Sequence, residues 1–142
     1  DFYKACKKEG IKPILGCEIY TAARTYLDKD PGLDSDQGHL ILLAKNNTGY
    51  KNLMKLVSIA YIKGFYYKPR IDFNLLEEYH EGLICLSACI GGDIPQRILK
   101  GDYNGARDLA IRLNRIMGHG NFYLELQYNN IEEQMQVNSG LV

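Results

Sequence analysis

Three residues are of types that bind metals or move protons, and they stand where strands begin, end or turn: Glu18, His39 and Cys89. Glu18 lies in the apolar run Pro13–Tyr20. An ionised carboxylate there is costly unless it is paired or bound to a metal, and the alternative is that Glu18 faces solvent at the strand end. His39 opens the run His39–Ala44 after a polar stretch. Imidazole is the commonest nitrogen ligand of transition metals, although a lone histidine is more often a satisfied core residue. Cys89 follows Leu86-Ser87-Ala88 and precedes Gly91-Gly92. On a period of two it shares a face with Cys85 and Ser87. As a thiolate it is a metal ligand; as a buried thiol it is inert packing. Lys68 and Arg70, on either side of Pro69, are of the type that meets a phosphate, although such a pair is more often a solvated face.

Other chemistries are excluded or weakened. Neither G-x-G-x-x-G nor the Walker pattern occurs, so there is no glycine-rich phosphate loop. Ser58, Ser87 and Ser139 have no nucleophile-elbow context. The four cysteines (Cys6, Cys17, Cys85, Cys89) form no C-x-x-C pair, which disfavours a zinc ribbon or a thioredoxin-like site. Seventeen basic residues balance seventeen acidic ones, which does not look like a dedicated nucleic-acid grip; any such role is local or depends on parts outside these residues. The eleven tyrosines are able to stack on bases, but several fall at helix core positions.

Those candidates need elements to hold them. Phe2, Ala5 and Cys6 recur at helical spacing; Pro13–Tyr20 reads as a strand. Thr21–Gly38 is polar, carries Asp-Lys-Asp-Pro-Gly, and reads as a mobile loop. His39–Ala44 is continuously apolar, the mark of a strand buried on both faces of a parallel sheet. Tyr50, Leu53, Met54, Val57 and Tyr61 outline the apolar face of a helix, with an Asn/Thr cap region (Asn46-Asn47-Thr48) before them. Asp72 and Asp102 stand where helix caps belong, Gly82–Ala88 and Asn121–Gln127 read as strands, and Ile94–Leu99 and Gln134–Val142 as helices. Helices alternate with strands, which predicts a single α/β domain over residues 1–142 with a mostly parallel sheet, open or closed into a barrel. No apolar run nears the roughly 20 residues that span a bilayer. Both ends read as lying inside helices. The expectation is an interior slice of a larger cytoplasmic protein, without a complete active site and with sheet edges that invite self-association.

Taken together, several runs resemble a known family. They are Phe2-Tyr3-Lys4-Ala5-Cys6-Lys7-Lys8-Glu9-Gly10-Ile11-Lys12-Pro13-Ile14-Leu15-Gly16-Cys17-Glu18, His39–Asn46 with Gly49–Leu53, Gly64–Asp72, Glu81–Cys89 and Asn121–Gln127. In this order they resemble the PHP (polymerase and histidinol phosphatase) domain of bacterial DNA polymerase III alpha subunits. The resemblance implies a partial, distorted (βα) barrel lacking its first and last elements. It makes Glu18 a metal-bridging glutamate, His39 a histidine ligand, and Cys89 a ligand that is His or Cys across the family. The family's His-x-His, Thr-Asp-His and Asp-x-His motifs do not occur in these 142 residues, so these three ligands alone are expected to hold metal weakly or not at all. The implied cofactors are zinc or manganese for the PHP centre and magnesium for the parent polymerase. The implied activity is DNA-directed DNA polymerase for the parent and a phosphoesterase or 3′–5′ exonuclease for the intact PHP domain. The implied partners are DNA, other replisome subunits and a proofreading exonuclease. A non-catalytic scaffold and a stand-alone PHP phosphatase are the competing readings.

Overall fold

The computed structural model describes residues 1–142. The elements in chain order are α1 (Phe2–Lys8), β1 (Gly16–Ala22), β2 (Gln37–Ala44), α2 (Asn47–Ile62), β3 (Phe65–Tyr66), β4 (Lys68–Ile71), α3 (Phe73–Tyr79), β5 (Leu83–Leu86), α4 (Asp93–Leu99), α5 (Tyr103–Met117), β6 (Phe122–Tyr123) and α6 (Glu132–Leu141). Side-chain caps start three helices where the sequence places them. Asn46 accepts from the Gly49 amide at 2.9 Å, Asp72 from Leu75 at 2.8 Å and Asp102 from Gly105 at 2.9 Å. No helix is long and apolar enough to cross a membrane.

The strands lie in the order β3-β4-β1-β2-β5-β6. β1 and β2 run antiparallel, as do β2 and β5 and the β3–β4 hairpin; only β1–β4 and β5–β6 are parallel. The mixed sheet corrects the expectation of mostly parallel strands. The physical reason lies in the connection between β1 and β2, which contains no helix. A plain loop joins antiparallel neighbours, whereas a parallel pair needs a crossover. That loop is also shorter than expected, because Thr21 and Ala22 extend β1 and Gln37 and Gly38 open β2.

The two faces of the sheet differ. Ile19, Leu40, Leu42, Leu83 and Cys85 point to one face, where they belong to a single apolar cluster of eighteen buried residues shared with α2, α3, α4 and α5. Glu18, His39, Ile41, Leu43, Ile84 and Leu86 point to the other, and none of them is buried. The continuous apolar run in β2 is therefore buried on one face only. α2 is also turned relative to expectation. It buries Gly49, Leu53, Leu56 and Ala60, while Tyr50, Met54 and Tyr61 of the expected face stay exposed. The strand expected over Asn121–Gln127 pairs only at Phe122–Tyr123.

Candidate metal centre

The register of β1 against β2 decides which candidates meet. Tyr20 pairs with His39 and Glu18 with Ile41, so Glu18, Tyr20, His39 and Ile41 share the open face. The Tyr20 and His39 rings meet edge-on with centroids 6.3 Å apart. β2 is antiparallel to β5, so His39, near the start of β2, lies at the carboxyl end of β5. Cys89 belongs to the turn beyond that end.

The expected face-sharing of Cys85, Ser87 and Cys89 does not hold, because strand geometry stops at Leu86. Ala88 takes a left-handed conformation with φ of 64°. For an alanine this is strained backbone, and it breaks the two-residue alternation. Cys85 stays on the core face, fully buried, and burial pushes its thiol up to about 12. Cys89 is turned out toward His39 instead, with its Sγ 3.2 Å from the His39 Nε2. Close packing makes room for this. A Cβ on Gly91 would lie 2.9 Å from the His39 Cε1, so this position accepts little beyond hydrogen.

Of the three candidates, the fold brings two together. His39 and Cys89 present a nitrogen and a sulfur at hydrogen-bond distance. Two such donors on a tetrahedral zinc stand roughly 3.6 Å apart, from bond lengths of about 2.0 and 2.3 Å. A small opening of the pair accommodates that spacing, and the donor types suit zinc. Glu18 shares their face one row along the sheet, is exposed, and enters no ion pair. No group of three or more His, Cys, Asp or Glu side chains converges. The chain therefore presents a nitrogen–sulfur pair with a carboxylate on the same face.

Lys68 and Arg70 serve different ends. Lys68 is exposed, with its ammonium 5.2 Å from the centre of the Tyr20 ring. Arg70 is fully buried, a correction to its reading as a surface phosphate contact. Its guanidinium donates to the carbonyls of Gly64, Asp34 and Asp28 at 3.2, 3.2 and 2.8 Å, and lies 5.1 Å from the Tyr66 ring centre. The segment between β1 and β2 is tied down from this point. Within it Asp34, itself buried, accepts two hydrogen bonds from Arg24 at 2.9 and 2.6 Å. Those bonds hold the Asp34 carboxyl down at about 2.

Sequence reading passed over Asp93, the first residue of α4. Its carboxylate accepts from the Thr21 hydroxyl at 2.6 Å and sits against Gly38, where a side chain would collide with it. Burial raises its pKa; the Thr21 hydrogen bond and the His39 and Arg97 charges oppose that rise. The available signal was an acidic residue in a first helical turn directly after Gly91-Gly92.

A mixed sheet has helices on one face and a histidine–thiol pair with a carboxylate on the other, the architecture of an α/β domain. The family model for the PHP domain matches residues 1–129, and the chain belongs to that family. It is 53% identical over 142 residues to the DNA polymerase III subunit alpha of Borreliella burgdorferi, covering 99% of this chain and 12% of that protein. The same-named proteins of Treponema pallidum and Aquifex aeolicus are 44% and 46% identical, over 96% and 99% of this chain. The chain spans about one eighth of the length of these curated relatives.

Proposed function

We propose that this chain is a fragment of the PHP domain of a replicative DNA polymerase alpha subunit, and that His39, Cys89 and Glu18 belong to a divalent-metal phosphoesterase centre acting on the 3′ end of a DNA strand. The observation that carries this reading is the His39–Cys89 pair, 3.2 Å apart on the uncovered face of the sheet. The half-exposed Ile41, Leu43, Ile84 and Leu86 on that face support a barrel closed by further strands, with the site in its interior. The longer protein would carry DNA-directed DNA polymerase activity with magnesium, and would bind DNA and other replisome subunits.

Zinc or manganese at the centre would supply an activated water and charge stabilisation at the phosphate. The chain's own residues do the holding. His39 presents Nε2 while its ring edge is set by Tyr20. Cys89 must give up its proton to ligate, so metal affinity falls as pH falls. Glu18 presents an unpaired carboxylate to the same face.

The test uses the full-length subunit, with calorimetric titration of manganese and zinc and cleavage of a 3′-labelled single strand. Cys89→Ser and His39→Ala should each weaken metal binding at least about 10-fold and abolish cleavage. A wild-type subunit that binds no metal and cleaves nothing overturns the reading. It would leave the domain a scaffold, holding a separate proofreading exonuclease.

A further inference from the structure

The β3–β4 hairpin pairs Phe65 with Pro69 and Tyr66 with Lys68, which leaves Tyr67 alone at its tip. Tyr67 has a φ of 56°. For a bulky side chain that is strained backbone, and such strain persists only where the surroundings over-determine it. Three contacts do so. The Gln37 side chain donates to the Tyr66 carbonyl at 3.1 Å. The Arg70 guanidinium lies 5.1 Å from the Tyr66 ring centre, and the Lys68 ammonium 5.2 Å from the Tyr20 ring centre.

Two of these contacts end beside His39. Gln37 stands two residues before it on β2, and so on the same face. Tyr20 is its cross-strand partner, with the two rings edge-on. The tip is therefore fastened to the open face, with one side chain between Lys68 and the imidazole.

The tip also offers groups that the fold does not use. Tyr67 rests against the Tyr66 ring, with centroids 4.5 Å apart, yet remains 68% exposed. Lys68 is exposed and enters no ion pair. A solvent-facing ring beside an unpaired ammonium is the combination that holds a single nucleic-acid strand: a base stacks on the ring and the cation meets a phosphate. A small anion has no use for the ring, and an apolar ligand none for the ammonium.

We infer that the Tyr67–Lys68 tip grips the DNA strand whose 3′ end reaches the His39–Cys89 pair, Tyr67 by stacking on a base near that end and Lys68 by contacting a phosphate. This rests on the phosphoesterase reading above and adds to it the part of the site that holds the strand.

The experiment follows cleavage of a 3′-labelled single strand by the full-length subunit with manganese, at several salt concentrations. Tyr67→Gly removes the ring and, at a positive φ, relieves the backbone. It should raise KM for the strand at least about 5-fold, and Tyr67→Phe should stay within about twofold. Lys68→Gln should also raise KM at least about 5-fold and lower the slope of log KM against log salt by about 0.7, the share of one phosphate on a single strand. Lys68→Arg should restore both. Manganese affinity should hold in all four variants. Side chains that only steadied the fold would lower the thermal midpoint and leave KM and the salt slope alone. A KM within about twofold of wild type for either Tyr67→Gly or Lys68→Gln overturns the grip. A strand carrying iododeoxyuridine near its 3′ end, photolysed without metal, separates the two readings. If it crosslinks to Tyr67 and no metal brings about cleavage, the grip stands and the phosphoesterase reading falls. If metal binding and cleavage persist and no crosslink reaches the hairpin, the grip falls alone.

Discussion

The two faces of the sheet are built from the same strands and do opposite work. On the helix-covered face Leu40, Leu42, Leu83 and Cys85 are at most 1% exposed. On the other face, alternate residues of those strands stay part-exposed and include the histidine and carboxylate of the candidate site. Apolar burial at about 25 cal/mol per Å² makes the first face the source of stability. The second face leaves polar ligands accessible because little packs on them. The candidate ligands sit on the face that contributes less to stability, so substitutions on the two faces should have separate effects on stability and on metal binding.

The largest effect should come from the one place where the open face is covered. Arg70, in register with Tyr20, is roofed by the segment between β1 and β2 and holds three backbone carbonyls. Arg70→Gln leaves most of those buried acceptors without donors, at about 1–3 kcal/mol each, so a loss of about 3 kcal/mol or more is expected in urea unfolding. Lys68→Gln, two residues back and exposed, should stay within about 0.5 kcal/mol. Equal costs for the two would mean that the roof is not anchored by Arg70.

The next contrast uses adjacent residues of one strand. Leu42→Ala removes a side chain with no solvent exposure and should cost about 2–5 kcal/mol. Ile41→Ala, facing the open side, should cost less than half as much. Comparable losses would show that the open face is packed in solution, as in a closed barrel or a self-associated chain.

This contrast also explains what could be read in advance. The caps at Asn46, Asp72 and Asp102 were legible because a short polar side chain before an apolar period has one local use. His39 and Cys89 stood out as residue types at strand ends, but their meeting was not legible. It depends on the antiparallel register of β2 with β5 and on the left-handed turn at Ala88, neither of which leaves a periodic trace. The apolar run of β2 suggested burial on both faces because hydrophobicity records what a face is suited to, not what covers it. Arg70 was misread for a related reason. Its partners are carbonyls of Asp28, Asp34 and Gly64, and backbone acceptors have no sequence signature.

The smallest stability effect, and the sharpest chemical one, distinguishes two cysteines four residues apart. The Cys85 thiol, pushed up to about 12 by burial, stays protonated and shielded at neutral pH. Cys89 is part-exposed beside His39. Iodoacetamide at pH 8 followed by mass spectrometry should therefore label Cys89 and spare Cys85 until urea unfolds the chain. The part-exposed Cys6 and Cys17 serve as internal controls. The same shift has a sign in stability. A thiol whose pKa is higher folded than unfolded contributes fully below its ordinary value near 9. Above that value the unfolded state gains by losing the proton, so stability declines as pH climbs toward 12. Cys85→Val should flatten that alkaline decline, and Cys89→Ser should cost under about 1 kcal/mol. Early labelling of Cys85 would place it with Cys89 on the open face and remove the division between the two sides of the sheet.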